Sequence, residues 1–363
     1  MKELLPELDT WRQGGASAAR AVVIRTFGSA PRPEGATMLV SSDGRLSGSV
    51  SGGCVEGAAF EQVERARADG KARVIRYGIS DEDAWDVGLA CGGTIDVLVQ
   101  PFLPADVELA ARELGRAVIT PLPADAPGPE FGPATPAEGA APEPALTLDA
   151  GSDSLHGTTG DHAADLELAG LAADALLRGR SRSVQVKGRS YFIESFARRP
   201  RLVVVGAVQV AIPLVALART MGYETVVVDG RPTFATAERF PDVDQLVVGW
   251  PDEVADAIGL GPDDAVAILS HDVKFDEPAI IASLARGCRY VGAVGSRKTQ
   301  SDRRARLRAA GVTDAQLGRL HGPIGLDLGG REPAETALSI MAEVVADRYG
   351  GSGAPMVERA QQV

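Results

Sequence analysis

The chain has 363 residues, 45% of them hydrophobic and 24% charged, which is enough apolar material for about two domains of ordinary size. A formal charge of −12 gives a field that repels phosphate backbones and anionic lipid, so neither nucleic acid nor a membrane is the expected partner. There is no bilayer-spanning apolar run and no signal-peptide pattern, so a cytoplasmic protein is expected. Its three cysteines, Cys54, Cys91 and Cys288, form no CxxC pair and are expected to be free thiols, with no metal site.

In chain order, "AVVIRTF" and "ATMLVSSDGRLSGSV" from Ala21 to Val50 predict β-strands, with a hairpin turning at Asp43-Gly44. After Gly52-Gly53 the period changes: Val55, Ala58, Ala59, Val63 and Ala66 share one helical face, and the helix is expected to end at Gly70 with Cys54 in its first turn. Strands follow at "ARVIRYGI" and, behind Cys91-Gly92-Gly93, at "TIDVLVQPF". Residues 121–161 are rich in Pro, Ala, Gly and Asp and predict an insertion that is mostly loop. "SVQVKGRSYFIESFA" reads as a hairpin turning at Lys187-Gly188, assigned to the sheet of the first domain, and the basic joint "ARRPR" ends that domain.

From Leu202 the pattern alternates strand and helix. "LVVVG", "ETVVVD", "QLVVG", "AVAILS" and "YVGAV" are nearly all apolar, as strands are when helices cover both faces of a parallel sheet. The last helix opens at Pro333 and stops at Gly350-Gly351. The expected organisation is an α/β protein: an N-terminal α+β domain over 1–198, a Rossmann-like doubly wound domain over 199–351 and a flexible tail over 352–363.

Two regions carry candidate chemistry. Cys54 at a helix start would feel the positive helix end, which favours thiolate, and Gly52 and Gly53 would let backbone N–H groups approach a ligand; the alternative is a small core residue closing a tight turn. Cys91-Gly92-Gly93 repeats the motif in mirror order, as if to form a second wall of one site. In the second domain, Asp229 lies 23 residues after Gly206, where a ribose-binding acid belongs. The turn, however, reads Gly206-Ala207-Val208-Gln209-Val210-Ala211, with β-branched Val208 at the position of the second fingerprint glycine, which disfavours NAD(P). Strand ends place Ser270, His271 and Asp272 beside a cleft, and Gly295, Ser296, Arg297 and Lys298 at a helix mouth fit a phosphate cradle. Arg297, Lys298, Arg303 and Arg304 read equally as a solvated basic face. The glycine-rich "HGPIGLDLGGREP" can wrap an anion or simply connect.

With "GSAPRPEGATMLV", "SGGCVEG", "GLACGGTIDVLVQPF", "VVVDGRP", "SHD", "VGAVGSRK" and "GPIGLDLGGREPAETALSIMAE" in one order, the sequence resembles the XdhC/CoxI family of molybdenum-cofactor accessory proteins. The resemblance implies a homodimer that holds molybdopterin cofactor while a cysteine desulfurase supplies sulfur, and then passes it to an apo-hydroxylase of the xanthine dehydrogenase type. Cys54 would contact the cofactor or its sulfur, and with the residues singled out above the candidate cofactor-binding set is Ser51, Gly52, Gly53, Cys54, Cys91, Gly92, Gly93, Gly206, Asp229, His271, Gly295, Ser296, Arg297 and Lys298. The family's turn usually reads Gly-Ala-Gly-His-Val-Ala, so Val208 and Gln209 are departures. The alternatives are an NAD(P)-dependent oxidoreductase and a stable component of a xanthine dehydrogenase complex.

Overall fold

The structure, a computed structural model, describes residues 1–78, 93–124, 126, 137–140, 146–152 and 154–358. The chain divides into two compact units, Met1–Arg198 and Arg199–Val363.

The first unit runs α1 (Leu5–Gln13), β1 (Ala18–Phe27), β2 (Thr37–Ser41), β3 (Leu46–Gly48), α2 (Glu56–Asp69), β4 (Lys71–Tyr77), β5 (Thr94–Gln100), α3 (Ala105–Glu113), β6 (Arg116–Pro121), β7 (Ala137–Ala140), β8 (Leu146–Asp149), α4 (His162–Arg178), β9 (Arg182–Val186) and β10 (Arg189–Phe196). It holds two sheets, ordered β3-β2-β1-β5-β4-β7 and β8-β6-β10-β9. The β9–β10 hairpin therefore does not extend the sheet built around β1, as expected from sequence, but builds a second one with β6 and β8. β7 and β8 lie within the Pro-rich segment, which thus contributes an edge strand to each sheet.

Side-chain alternation sets the layers. On β1, Ala19, Ala21 and Val23 pack with α2 residues Ala59, Val63 and Ala66, while Val22 and Ile24 point the other way to meet Phe192 of β10. Tyr191 and Ile193 of β10 face α4 through Leu168 and Ala172. Between the sheets lies a buried polar staple. Arg20 donates to both oxygens of Glu194 at 2.8 and 3.0 Å and through Nε to Gln100.

The second unit runs β11 (Arg201–Val205), α5 (Ala211–Thr220), β12 (Glu224–Asp229), β13 (Gln245–Val248), α6 (Pro251–Val254), β14 (Asp264–Ile268), α7 (Val273–Ala285), β15 (Tyr290–Ala293), α8 (Arg297–Ala309), α9 (Asp314–Gly318), β16 (Leu320–His321) and α10 (Pro333–Tyr349). Its six strands are parallel in the order β13-β12-β11-β14-β15-β16. Numbered within the unit this is 3-2-1-4-5-6, the Rossmann order. All five strands expected from sequence are present, and β16 adds a sixth. Leu202 and Val204 pack under α5 and α10, and Val203 and Val205 under α7. Burial on both faces explains why the central strands read as unbroken apolar runs.

Candidate functional site

In the first unit the chain leaves β3, turns through Gly52 (φ +82°) and Gly53 (φ +117°), and enters α2. Nothing lies within 4 Å of where a Cβ would stand on either glycine, so backbone conformation and not crowding requires them. Cys54 is exposed. It precedes the helix instead of sitting in its first turn: Val55 is the N-cap and Glu56 the first helical residue.

The amides expected to face a ligand are already engaged. The Glu56 carboxylate accepts from the N–H groups of Val50 (3.2 Å), Ser51 (2.9 Å) and Gly53 (2.9 Å), and from the Ser49 and Ser51 hydroxyls. Ser51 Oγ takes the N–H groups of Cys54 and Val55, both at 2.9 Å, and Ser49 Oγ takes that of Gly52 at 2.7 Å. Glu56 is thus an internal anion occupying the cradle. What remains open to a ligand is the Cys54 thiol, presented on a hydrogen-bonded turn. Its mirror motif, Cys91-Gly92, lies outside the described residues. A Cβ on Gly93 would stand 2.9 Å from the backbone of Ser29 and Ala30, so that glycine serves close packing. Cys288 is fully buried, and burial pushes its thiol up to about 12.

Burial alone would raise the Glu56 carboxyl, but the Ser49 and Ser51 hydrogen bonds outweigh it and bring the group down to about 2. A folded value below the ordinary 4.5 means that the ordered turn gains stability above pH 4.5 and loses it as pH falls through about 2. Glu56→Ala is expected to lower the hydrogen-exchange protection of the Ser51 and Gly53 amides at least about tenfold at neutral pH. In the parent protein the same protection should fade only between those two pH values, as followed by exchange and mass spectrometry.

In the second unit Gly206 (φ +106°) ends β11. A Cβ there would stand 2.8 Å from Ser270 N, so this glycine permits close approach of two strand ends. Asp229, at the end of β12, is buried and already bonded. Its oxygens accept from Ala207 N–H (2.8 Å), Arg231 N–H (2.9 Å), Arg231 Nε (2.9 Å) and an Arg231 Nη (2.8 Å). Burial pushes this carboxyl up, but the Arg231 fork and the two amides prevail and its net shift is downward.

Around these groups lies a cavity of about 400 Å³ lined by Val208, Asp229, Gly230, Arg231, Trp250, Ser270, His271, Asp272 and Phe275. Ser270 Oγ donates to buried Asp276, whose other oxygen takes Arg303 at 3.0 Å. Asp272 caps α7 by accepting from Lys274 N–H. His271 is exposed at the rim.

The four basic residues of this region divide in two. Arg303 is buried, and Arg304 donates to the carbonyls of Leu317 and Leu320, whereas Arg297 and Lys298 are exposed. Ser296 caps α8 by accepting from Thr299 N–H, and Gly295 packs over Thr299. In "HGPIGLDLGGREP" the amides are filled from within: Gly325 N–H donates to Glu343, and Arg331 and Glu332 N–H donate to Glu335. Glu343 also takes the Tyr290 hydroxyl and His321 Nδ1. That geometry favours a connecting loop over an anion wrap. Sequence reasoning missed Glu56, Glu335 and Arg231 as the groups that fill or guard these sites. For Glu56 and Glu335 the available signal was an acid in the first turn of a helix behind a glycine-rich run.

Strand order and a strand-end cavity define the second unit as Rossmann-type. Family models match both units, the XdhC and CoxI family over residues 11–78 and the XdhC Rossmann domain over residues 202–344, together more than half of the chain. The chain belongs to the XdhC/CoxI family. It is 26% identical to a probable xanthine dehydrogenase subunit of Bacillus subtilis (strain 168), over 94% of this chain and 96% of that one. It is 27% identical to the molybdenum cofactor insertion chaperone PaoD of Escherichia coli (strain K12), over 92% of this chain and 84% of that one. A crystal structure of a xanthine dehydrogenase from Bacillus halodurans shares the fold, with a TM-score of 0.59 and 24% identity over 98% and 97% of the two chains. No helix among the described residues is long and apolar enough to cross a membrane.

Proposed function

We propose that this protein is a molybdenum-cofactor accessory protein that holds the cofactor for sulfuration and for insertion into a hydroxylase of the xanthine dehydrogenase type. Family membership supports the reading, as do the relatives described as a cofactor insertion chaperone and as part of a xanthine dehydrogenase. One structural observation carries it: the exposed Cys54 thiol on a turn whose backbone is held by Glu56, Ser49 and Ser51. A cysteine sulfur is a soft ligand for molybdenum or a contact for a transferable sulfur, and a turn fixed by eight acceptor contacts would present it without further ordering. The amides of the turn do not fit the cofactor's phosphate, because Glu56 fills them.

In this reading a cysteine desulfurase supplies the sulfur and the apo-hydroxylase receives the cofactor, while the chain binds and releases without turnover of its own. The experiment is retention of pterin after incubation with molybdenum cofactor and gel filtration. Wild-type protein is expected to retain it, and Cys54→Ala to lose at least about tenfold in affinity, equivalent to about 1.4 kcal/mol. A Cys288→Ala variant controls for the mere presence of a thiol. Absence of pterin from the wild-type protein, with NAD(H) or NADP(H) tightly retained, would overturn the reading in favour of a nicotinamide-dependent enzyme.

A further inference from the structure

We infer that the strand-end cavity of the second unit is a half-site for a nucleoside whose ribose carries a 2′- or 3′-phosphate, and that it does not hold a dinucleotide through the glycine turn. In the order 3-2-1-4-5-6, ligands lie outside the carboxyl ends of the strands where the order reverses. The cavity is there, lined from the ends of β11, β12, β13 and β14. It occupies the side of the crevice that takes the ribose and base of the first nucleoside.

The lining selects the ligand. Trp250 is 43% exposed and sits against Phe275 with ring centroids 5.5 Å apart, a wall for a flat heterocycle. Gly230 keeps the space beside it open: a Cβ there would stand 3.4 Å from Phe275 and 3.9 Å from Trp250. At the ribose position an ordinary fold offers a free carboxylate that accepts from the sugar diol. Here the Asp229 oxygens already accept four hydrogen bonds, which fills the capacity of a carboxylate. Asp229 instead orients Arg231. The guanidinium spends Nε and one Nη on Asp229, lies 3.9 Å over the Phe234 ring, and keeps its side chain 50% exposed. Its other Nη makes no hydrogen bond among the described residues.

The ribose position therefore presents donors, aimed by a buried acid and stacked on an aromatic ring, which is the chemistry of phosphate recognition and not of a bare diol. His271 at the rim likewise makes no hydrogen bond among the described residues and is free to meet the base edge. Ser270 and Asp272 are committed to Asp276 and to the α7 amide. On the diphosphate side Val208 lines the cavity at the position of the second fingerprint glycine, where a pyrophosphate needs bare backbone.

The test is titration of the full chain with 2′-AMP, 3′-AMP, 5′-AMP, adenosine, NAD+ and NADP+, read by tryptophan fluorescence and calorimetry. The expected result is saturable binding of 2′-AMP or 3′-AMP at least about tenfold tighter than 5′-AMP or adenosine. Arg231→Ala should erase that preference and let adenosine bind at least as tightly as to wild type, because the freed Asp229 oxygens can accept from its diol, with Arg231→Lys intermediate. Gly230→Val should weaken every nucleoside, and Val208→Gly should strengthen NADP+ alone. Thermal unfolding of each variant checks that it is folded. Equal affinity for adenosine and 2′-AMP, unchanged affinity in folded Arg231→Ala and Gly230→Val, or no saturable signal at millimolar ligand would each overturn the inference. The probes carry neither pterin nor molybdenum, so such failure leaves the cofactor-retention experiment untouched.

Discussion

Glu194→Ala is expected to lower the unfolding temperature of the first unit by roughly 10 °C, corresponding to about 3–5 kcal/mol, while the transition of the second unit stays in place. Glu194 and Arg20 are 2% and 0% exposed and lie between the two sheets, with paired bonds at 2.8 and 3.0 Å. Removing the carboxylate leaves a guanidinium in a dry interface with Gln100 as its remaining side-chain partner. That orphaned charge, and not the lost attraction, dominates the cost, since desolvation of an unpaired ion exceeds the net gain of the pair. The double variant Arg20→Met/Glu194→Leu removes both charges and keeps similar volume, so it should recover most of the loss. Scanning calorimetry of the full chain distinguishes these outcomes. A Glu194→Ala shift of about 1 °C would mean that water reaches the pair and that the sheets are held by their apolar contacts alone.

The staple also shows where sequence reading stops. The second unit could be read because its central strands are buried on both faces and each helix follows at the length a crossover needs, so the pattern is local. β16 escaped because two residues, Leu320 and His321, carry no period. In the first unit the β9–β10 hairpin is evident from Lys187-Gly188, but its sheet is not, because its neighbour β6, and β8 beyond that, come from chain well upstream, beyond the whole of α4. The pairing of Arg20 with Glu194 spans 174 residues, and nothing in either neighbourhood announces it.

The candidate site divides in the same way. Cys54 stood out by its glycines, and the Val208 departure by its position in a known turn. That Glu56 would close the amide cradle, or that Asp229 would aim Arg231 instead of accepting a ribose, depends on side-chain directions that spacing does not encode. Both groups were visible as residue types, Glu56 three positions after Gly53 and Arg231 two after Asp229.

In the second unit, Asp276→Ala is expected to produce the companion result: about 3–5 kcal/mol lost and a fall of roughly 10 °C confined to that unit's transition. Asp276 is 1% exposed and bridges buried Arg303 to the Ser270 hydroxyl. Burial pushes this carboxyl up, opposed by Ser270 and Arg303. Arg303 would keep the Val294 carbonyl and Gln300 as partners, so its charge would remain in place without a counter-ion. Ser270 lines the nucleoside cavity, and losing its acceptor frees the strand end that Gly206 packs against. The variant should therefore also weaken 2′-AMP binding at temperatures where it is still folded. Asp276→Asn separates the two effects, because the amide can still accept from Ser270 while giving up the charge. It should retain nucleotide affinity within a few-fold and still lose most of the stability. If Asp276→Asn instead matches wild type in both calorimetry and titration, neither the ion pair nor its hydrogen bond to Arg303 contributes to the stability of this unit.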